Sequence, residues 1–186
     1  MSQENEDLNK YLDLFPAWLR GLGEDASELV DLVPISAISN DARECIAGGV
    51  NYLFKSLDLI PDGIDDIGYL DDAFVLRVSA ELASEGDISG VPADRMRSLG
   101  RLANDCEDIR NFLGKDYDRL KAYVRSLRKG AARGRSVQDI LEDAATQQSF
   151  VDDVRNFVRG FEAPSFSREE KNLVKLKAFF DAKLPR

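Results

Sequence analysis

Histidine is absent from this chain of 186 residues. That excludes every site built on imidazole: a Ser–His–Asp triad, a Cys–His dyad, an HExxH zinc centre or a histidine pH switch. Acid–base chemistry would fall to Asp, Glu, Lys, Tyr or Cys, and a metal site would be oxygen-rich and suited to Mg²⁺, Mn²⁺ or Ca²⁺. Cysteine is nearly as scarce. Cys45 and Cys106 are far apart and form no CxxC pair, so both are expected as reduced thiols in a cytoplasmic protein. No run of about 18 apolar residues occurs, and no membrane-spanning helix is expected. The opening MSQENEDLNK is acidic and polar, unlike a secretory leader. P-loop and GxGxxG motifs, internal repeats and strand-type alternation are missing as well.

What is present is a foldable composition, 44% hydrophobic and 32% charged. The net charge of −9 is unevenly spread: residues 1–93 carry 19 acids and 5 bases, residues 94–186 carry 15 acids and 20 bases. Opposed halves of this kind attract one another, either within one molecule or between molecules. Helical periodicity dominates. The pattern predicts an all-α fold of seven to eight helices around a central helical hairpin with an Asp-rich loop, as one domain over 1–186 or as two lobes, 1–88 and 92–186.

Leu8, Tyr11, Leu12, Phe15, Trp18, Leu19 and Leu22 form one face of a helix over 6–22, kinked or restarted at Pro16 and ended by Gly21 and Gly23. Its acidic face, with Glu4, Glu6, Asp7 and Asp13, suits docking on the core or a partner better than an anionic membrane surface. A short helix over 24–33 follows. The next begins after Ser39 and is expected to reach about Leu59, burying Ala42, Ile46, Val50, Leu53, Leu57 and Ile60, with Pro61 as the stop. Gly48-Gly49 in its middle predicts close approach of another helix. The run from Ala73 is apolar almost all round and reads as a buried central helix. Further helices are expected over 92–113, 117–127, 136–161 (capped by Ser136) and from a Ser167–Glu170 capping box onward.

The chemically specialised stretch is Ser56–Asp72, SLDLIPDGIDDIGYLDD, with six aspartates. It fails the calcium-loop pattern, because the third position counted from Asp58 is Ile60 and the twelfth is Tyr69. Local structure accounts for several of these acids: Asp71 and Asp72 would cap the following helix, and Asp62, Asp65 and Asp66 would make turn hydrogen bonds. Asp58 fits least, since a carboxylate at a helix C-terminus is disfavoured. It needs a partner: a backbone N–H, a base such as Arg77, or a cation. Asp58, Asp62, Asp71 and Asp72 are the candidate metal ligands. A second feature is the run from Arg119 to Arg135, seven bases without an acid. Within it Arg119, Lys121, Arg125, Arg128 and Lys129 are candidates for binding phosphate or an acidic partner, while the overall acidity argues against nucleic acid.

Tyr52, Leu53, Asp58-Leu59-Ile60-Pro61-Asp62 and Gly68-Tyr69-Leu70-Asp71-Asp72 together resemble the YkvA family, a bacterial domain of unknown function, over about residues 45–85. The resemblance implies a helical hairpin and no particular reaction. Ser56-Leu57 stands where that family tends to have Pro-Ile, which predicts a longer first helix, and Asp65-Asp66 make the loop more acidic. The leading expectation is a non-catalytic interaction or scaffold module, assembling with itself or with a protein partner. The alternatives are a divalent-metal-dependent enzyme acting on a phosphate-bearing substrate, and phosphate or nucleic-acid binding through 119–135.

Overall fold

A computed structural model describes residues 3–186, with side chains from Asp7 onward, so the side chains of Glu4 and Glu6 lie outside the described residues. Helix α1 runs unbroken from Gln3 to Val30, a correction to the two helices expected there. Pro16 removes one backbone bond, but the apolar stripe stays in register past it through Trp18, Leu19, Leu22, Ala26, Leu29 and Val30, all buried. Tertiary packing of that stripe outweighs the helix-breaking tendency of Pro16, Gly21 and Gly23. Gly23 also lies against a neighbour, its missing Cβ 3.5 Å from Val158 Cγ1.

Helix α2, Asn40–Asn51, starts at Ser39, whose side chain accepts from the Ala42 N–H. It ends sooner than the sequence suggests, in a single 3₁₀ turn, Tyr52–Phe54. Lys55 is extended, Leu57 is 80% exposed rather than buried, and Asp58 lies in the loop instead of on a helix end. The chain leaves the helix because Leu59 and Ile60 find other hydrogen-bond acceptors, described below. Helix α3, Leu70–Ser84, is buried along nearly its whole length, as its composition predicts. Gly49 faces it: a Cβ there would stand 1.9 Å from Ser79 Oγ and 2.6 Å from Ser79 Cβ.

Helix α4, Ala93–Leu113, packs along α3 and buries Cys106, whose thiol desolvation pushes up to about 12, the behaviour of an inert core residue. Helix α5, Tyr117–Ser126, leads through a 3₁₀ turn to a two-stranded ribbon, β1 Ala131–Ala132 and β2 Arg135–Ser136, which the sequence reading missed. The seam expected as one helix over 136–161 divides into α6, Val137–Glu142, and α7, Ala144–Gly160. Asp143 causes the break, since its carboxylate accepts from the Thr146 N–H and so starts a second helix. Helix α8, Glu170–Lys183, lacks the predicted capping box; the Ser167 N–H is instead directed at Asp66.

One aromatic cluster ties α1, α3, α4 and α8 together: Phe74 lies 5.2 Å from both Phe15 and Phe180, and Phe15 lies 4.9 Å from Phe112. Next to it sits Arg77, 1% exposed. Its Nε donates to Asp105 at 2.9 Å, its Nη1 to the Ala73 carbonyl at 3.1 Å, and its Nη2 lies 3.3 Å from Asp25. The guanidinium covers Trp18 at 4.0 Å. A buried charge with this many partners is tolerated; with one partner removed it is not.

Two stability measurements check this packing. Gly49→Ala should destabilise by about 1–3 kcal/mol through overpacking against α3, whereas Gly100→Ala, whose Cβ meets open space, should stabilise by up to about 1 kcal/mol. Arg77→Leu removes the partner of Asp25 Oδ2 and leaves Asp25 to Arg101 alone; it should cost up to about 3–5 kcal/mol, a fall in Tm of up to roughly 20 °C at this chain length.

Candidate cation site: the carboxylate cluster of the hairpin loop

Between α2 and α3 the chain closes on itself by short hydrogen-bonded turns. The Ile64 N–H donates to the Pro61 carbonyl at 3.0 Å and the Gly68 N–H to the Ile64 carbonyl at 2.9 Å. Gly68 is required there, because a Cβ would lie 2.2 Å from the Asp62 carbonyl oxygen. Tyr69 then takes a left-handed backbone, φ 65°, immediately before α3. Its ring packs on Phe161 at 5.2 Å, and its hydroxyl is near enough to Asp62 to hold that carboxyl's pKa down.

Asp71 and Asp72 do not cap α3 in the expected manner. They lie within its first turn and point into the protein, both almost wholly buried. Asp71 Oδ2 accepts from the Tyr52 hydroxyl at 2.6 Å and from the Ile60 N–H at 3.0 Å. The same hydroxyl accepts from the Leu59 N–H at 2.7 Å. Tyr52, which sequence reasoning did not single out as a site residue, is therefore the centre of the arrangement; the signal available was an aromatic residue with a polar tip in a stretch bound for the core.

The remaining oxygens are not satisfied. Asp71 Oδ1, Asp72 Oδ2 and Asp58 Oδ1 are shielded from water and have no hydrogen-bond partner. Arg77 does not serve Asp58, being committed to Asp25 and Asp105. The electrostatics follow from this crowding. Desolvation, reinforced by Asp71 and Asp62, pushes Asp58 up to about 7. Burial raises Asp71 to about 6 against the opposing hydrogen bonds from Tyr52 and Ile60. Asp72 is raised well above the usual carboxylate range by burial and then by Asp71, Asp62 and Asp58. Partial burial raises Asp62, opposed by Tyr69. Four carboxyl groups thus feel one another at one end of α3, with Asp62 on the exposed side. Among the described residues, no three acidic or thiol side chains are already disposed around one cation position. Asp65 is exposed, and Asp66, φ 69°, accepts from the Ser167 N–H away from the cluster.

The basic run is largely consumed by the protein's own acids. Arg119 pairs with Asp116 at 2.8 Å and Asp181 at 3.3 Å, Lys121 with Glu81 at 3.1 Å and Glu85 at 2.7 Å, and Arg125 with Glu85 at 3.1 Å. Arg128 and Lys129 make no ion pair among the described residues; they line an open cleft of about 440 Å³ with Glu44 on its wall. The two features do not form one site.

No helix among the described residues is long and apolar enough to cross a membrane. No curated protein and no solved structure matches this chain. A family model described as "Protein of unknown function (DUF1232)" matches residues 42–77, a span that takes in α2 from its third residue, the whole carboxylate loop and the first half of α3. Across that span the chain carries a DUF1232 segment, with which its YkvA-like motif is consistent.

Proposed function

We propose that this protein is a non-catalytic helical module that binds a hard divalent cation in the carboxylate cluster. One observation carries the reading: an oxygen of each of Asp58, Asp71 and Asp72 is shielded from water without a hydrogen-bond partner, and the three carboxyl groups act on one another at one end of α3. Buried polar groups are paired in folded proteins, and several unpaired carboxylates in one place are the group most in need of a cation. The donors are all oxygen, which fits Mg²⁺, Mn²⁺ or Ca²⁺. Asp71 is fixed by Tyr52 and Ile60 and Asp72 by its helix. Asp58 and Asp62 lie on the loop, so binding draws loop carboxylates toward fixed ones and completes the shell with water. Bound metal would lock the α2–α3 hairpin and the loop surface around exposed Leu57, where a protein partner would dock. The enzymatic alternative would also need Arg125 or Arg128 to hold phosphate; Arg125 is already paired with Glu85 at 3.1 Å, and Arg128, which makes no ion pair among the described residues, lines a cleft that contains none of the four aspartates, which favours binding over catalysis.

Melting in the presence of each cation tests this. At a metal concentration near 100 times Kd the gain should be about 2.7 kcal/mol, or roughly 5–11 °C. Asp72→Asn should abolish most of that gain while leaving the metal-free protein about as stable, since Asp72 Oδ2 has no hydrogen bond there to lose. Absence of any shift with all three cations would sink the proposal.

The pH dependence has a defined sign. Asp58 and Asp71 hold protons more tightly in the folded chain, near 7 and 6, than in the unfolded chain at about 3.9. Their stabilising contribution is complete below about pH 4 and is lost as pH rises through 6–7. Cations compete with those protons. The melting gain from saturating metal should therefore be larger at pH 8 than at pH 5.5, and metal binding should release protons measurable by calorimetry in buffers of different ionisation enthalpy.

A further inference from the structure

The basic run ends on two arginines placed unlike the others. Arg133 and Arg135 belong to the β1–β2 ribbon, where Ala131 pairs with Ser136 and Ala132 with Arg135. The connecting residues, Arg133 and Gly134, both have positive φ, 51° and 72°, the backbone of a tight type I′ turn. That turn favours Asn-Gly, because asparagine tolerates the left-handed region and a long side chain does not. Arginine thus occupies a position where ribbon formation alone would select against it.

Both guanidinium groups converge on one acid of α7. Arg135 Nη1 lies 2.8 Å from Asp153 Oδ2, and Arg133 Nη1 lies 3.6 Å from the same oxygen. One carboxylate answers two cations, which leaves a net positive charge. Arg135 is held against the rings of Phe54 and Phe150, at 5.6 and 5.4 Å, with its side chain only 11% exposed. Its Nε and Nη2 are shielded from water and have no acceptor. Ser149 Oγ accepts weakly from Arg135 Nη1 at 3.5 Å, and its own proton is uncommitted. These four side chains line an open cleft of about 450 Å³, a size that suits a small ligand.

We propose that this cleft binds a small phosphate-bearing molecule. The phosphate takes the place of Asp153 between Arg133 and Arg135, accepts from the Nη1 groups that now reach Asp153 and from the Ser149 hydroxyl, and brings the second negative charge that a single carboxylate does not. Guanidinium forks match phosphate oxygens two at a time, and Arg133, the more exposed partner at 58%, can close over the ligand. Arg119, Lys121 and Arg125 take no part, being neutralised where they stand.

The full chain, with EDTA present so that the carboxylate cluster is metal-free, is titrated calorimetrically with inorganic phosphate and with glycerol 3-phosphate, against chloride at matched ionic strength. Saturable phosphate binding is expected. Arg133→Asn should keep or raise the melting temperature, because it suits the turn, yet weaken phosphate binding by about tenfold or more, as expected for losing a charge-assisted contact. Asp153→Asn should tighten binding several-fold by removing the competitor. The proposal is overturned if phosphate behaves as chloride, if Arg133→Asn binds phosphate like the parent, or if Asp153→Asn weakens it. Binding confined to a thymidine oligonucleotide, with a steep salt dependence, would also overturn it in favour of an extended nucleic-acid surface.

Discussion

The hairpin turns on the hydroxyl of Tyr52. It donates to Asp71 and accepts from the Leu59 N–H, while Asp71 also receives the Ile60 N–H. Two backbone donors that a longer α2 would have satisfied internally are met by this bridge, so the chain can leave the helix at Phe54 and still enter the core at Leu59 and Ile60. Burial holds the Tyr52 hydroxyl protonated far above the usual tyrosine range, making it a permanent donor. Asp71 is thereby drawn into the interior, and with it come Asp72 and the unsatisfied oxygens.

Two buried charge clusters in this protein are resolved in opposite ways. Around Arg77 the ledger closes: two aspartates, a carbonyl and an indole face meet one guanidinium. Around Asp71 it does not: among the described residues no base forms an ion pair with the cluster, and the opposing influences are Tyr52 and Tyr69, backbone donors, the start of α3 and the more distant charge of Lys55 on Asp58. A helix N-terminus stabilises a carboxylate by about 0.3–1 kcal/mol, up to about 2 when partly buried. Desolvation of each buried ion costs several kcal/mol. The dipole is therefore too weak to keep all these groups ionised, and either protons or a cation must make up the difference. That imbalance, rather than the number of aspartates, separates this cluster from a set of helix caps.

Much of the fold was legible because its signals are local. The buried α3, the glycine seat at Gly49, the Ser136 cap and the inert Cys106 all follow from periodicity and residue chemistry. The failures came where a distant partner outweighed a local rule. Gly21 and Gly23 read as stops, but the stripe of α1 is buried on both sides of them. Leu57 read as core because α2 was carried too far; nothing local reveals that Leu59 and Ile60 bond across the loop to Tyr52 and Asp71. Ser167 read as a cap and serves Asp66 instead. Of the candidate site, the clustering of the four aspartates is legible in the sequence, whereas Tyr52 and the inward direction of Asp71 and Asp72 are not, because a carboxylate at a helix start ordinarily faces solvent.

The region matched by the family model ends at residue 77, but the geometry of its loop does not depend on that region alone. Asp66 and Tyr69 both sit in left-handed conformations that non-glycine residues disfavour, and each is held there from the far end of the chain. The Ser167 N–H reaches Asp66, and Phe161 and Phe157 pack on Tyr69. Tyr69 in turn acts on Asp62, the exposed member of the carboxylate group. The placement of Asp62 relative to Asp58, Asp71 and Asp72 is thus a joint product of the hairpin, the end of α7 and the segment leading into α8. In this chain, the first-turn aspartates are set by the hairpin itself, and the loop aspartate is set also by what packs on Tyr69.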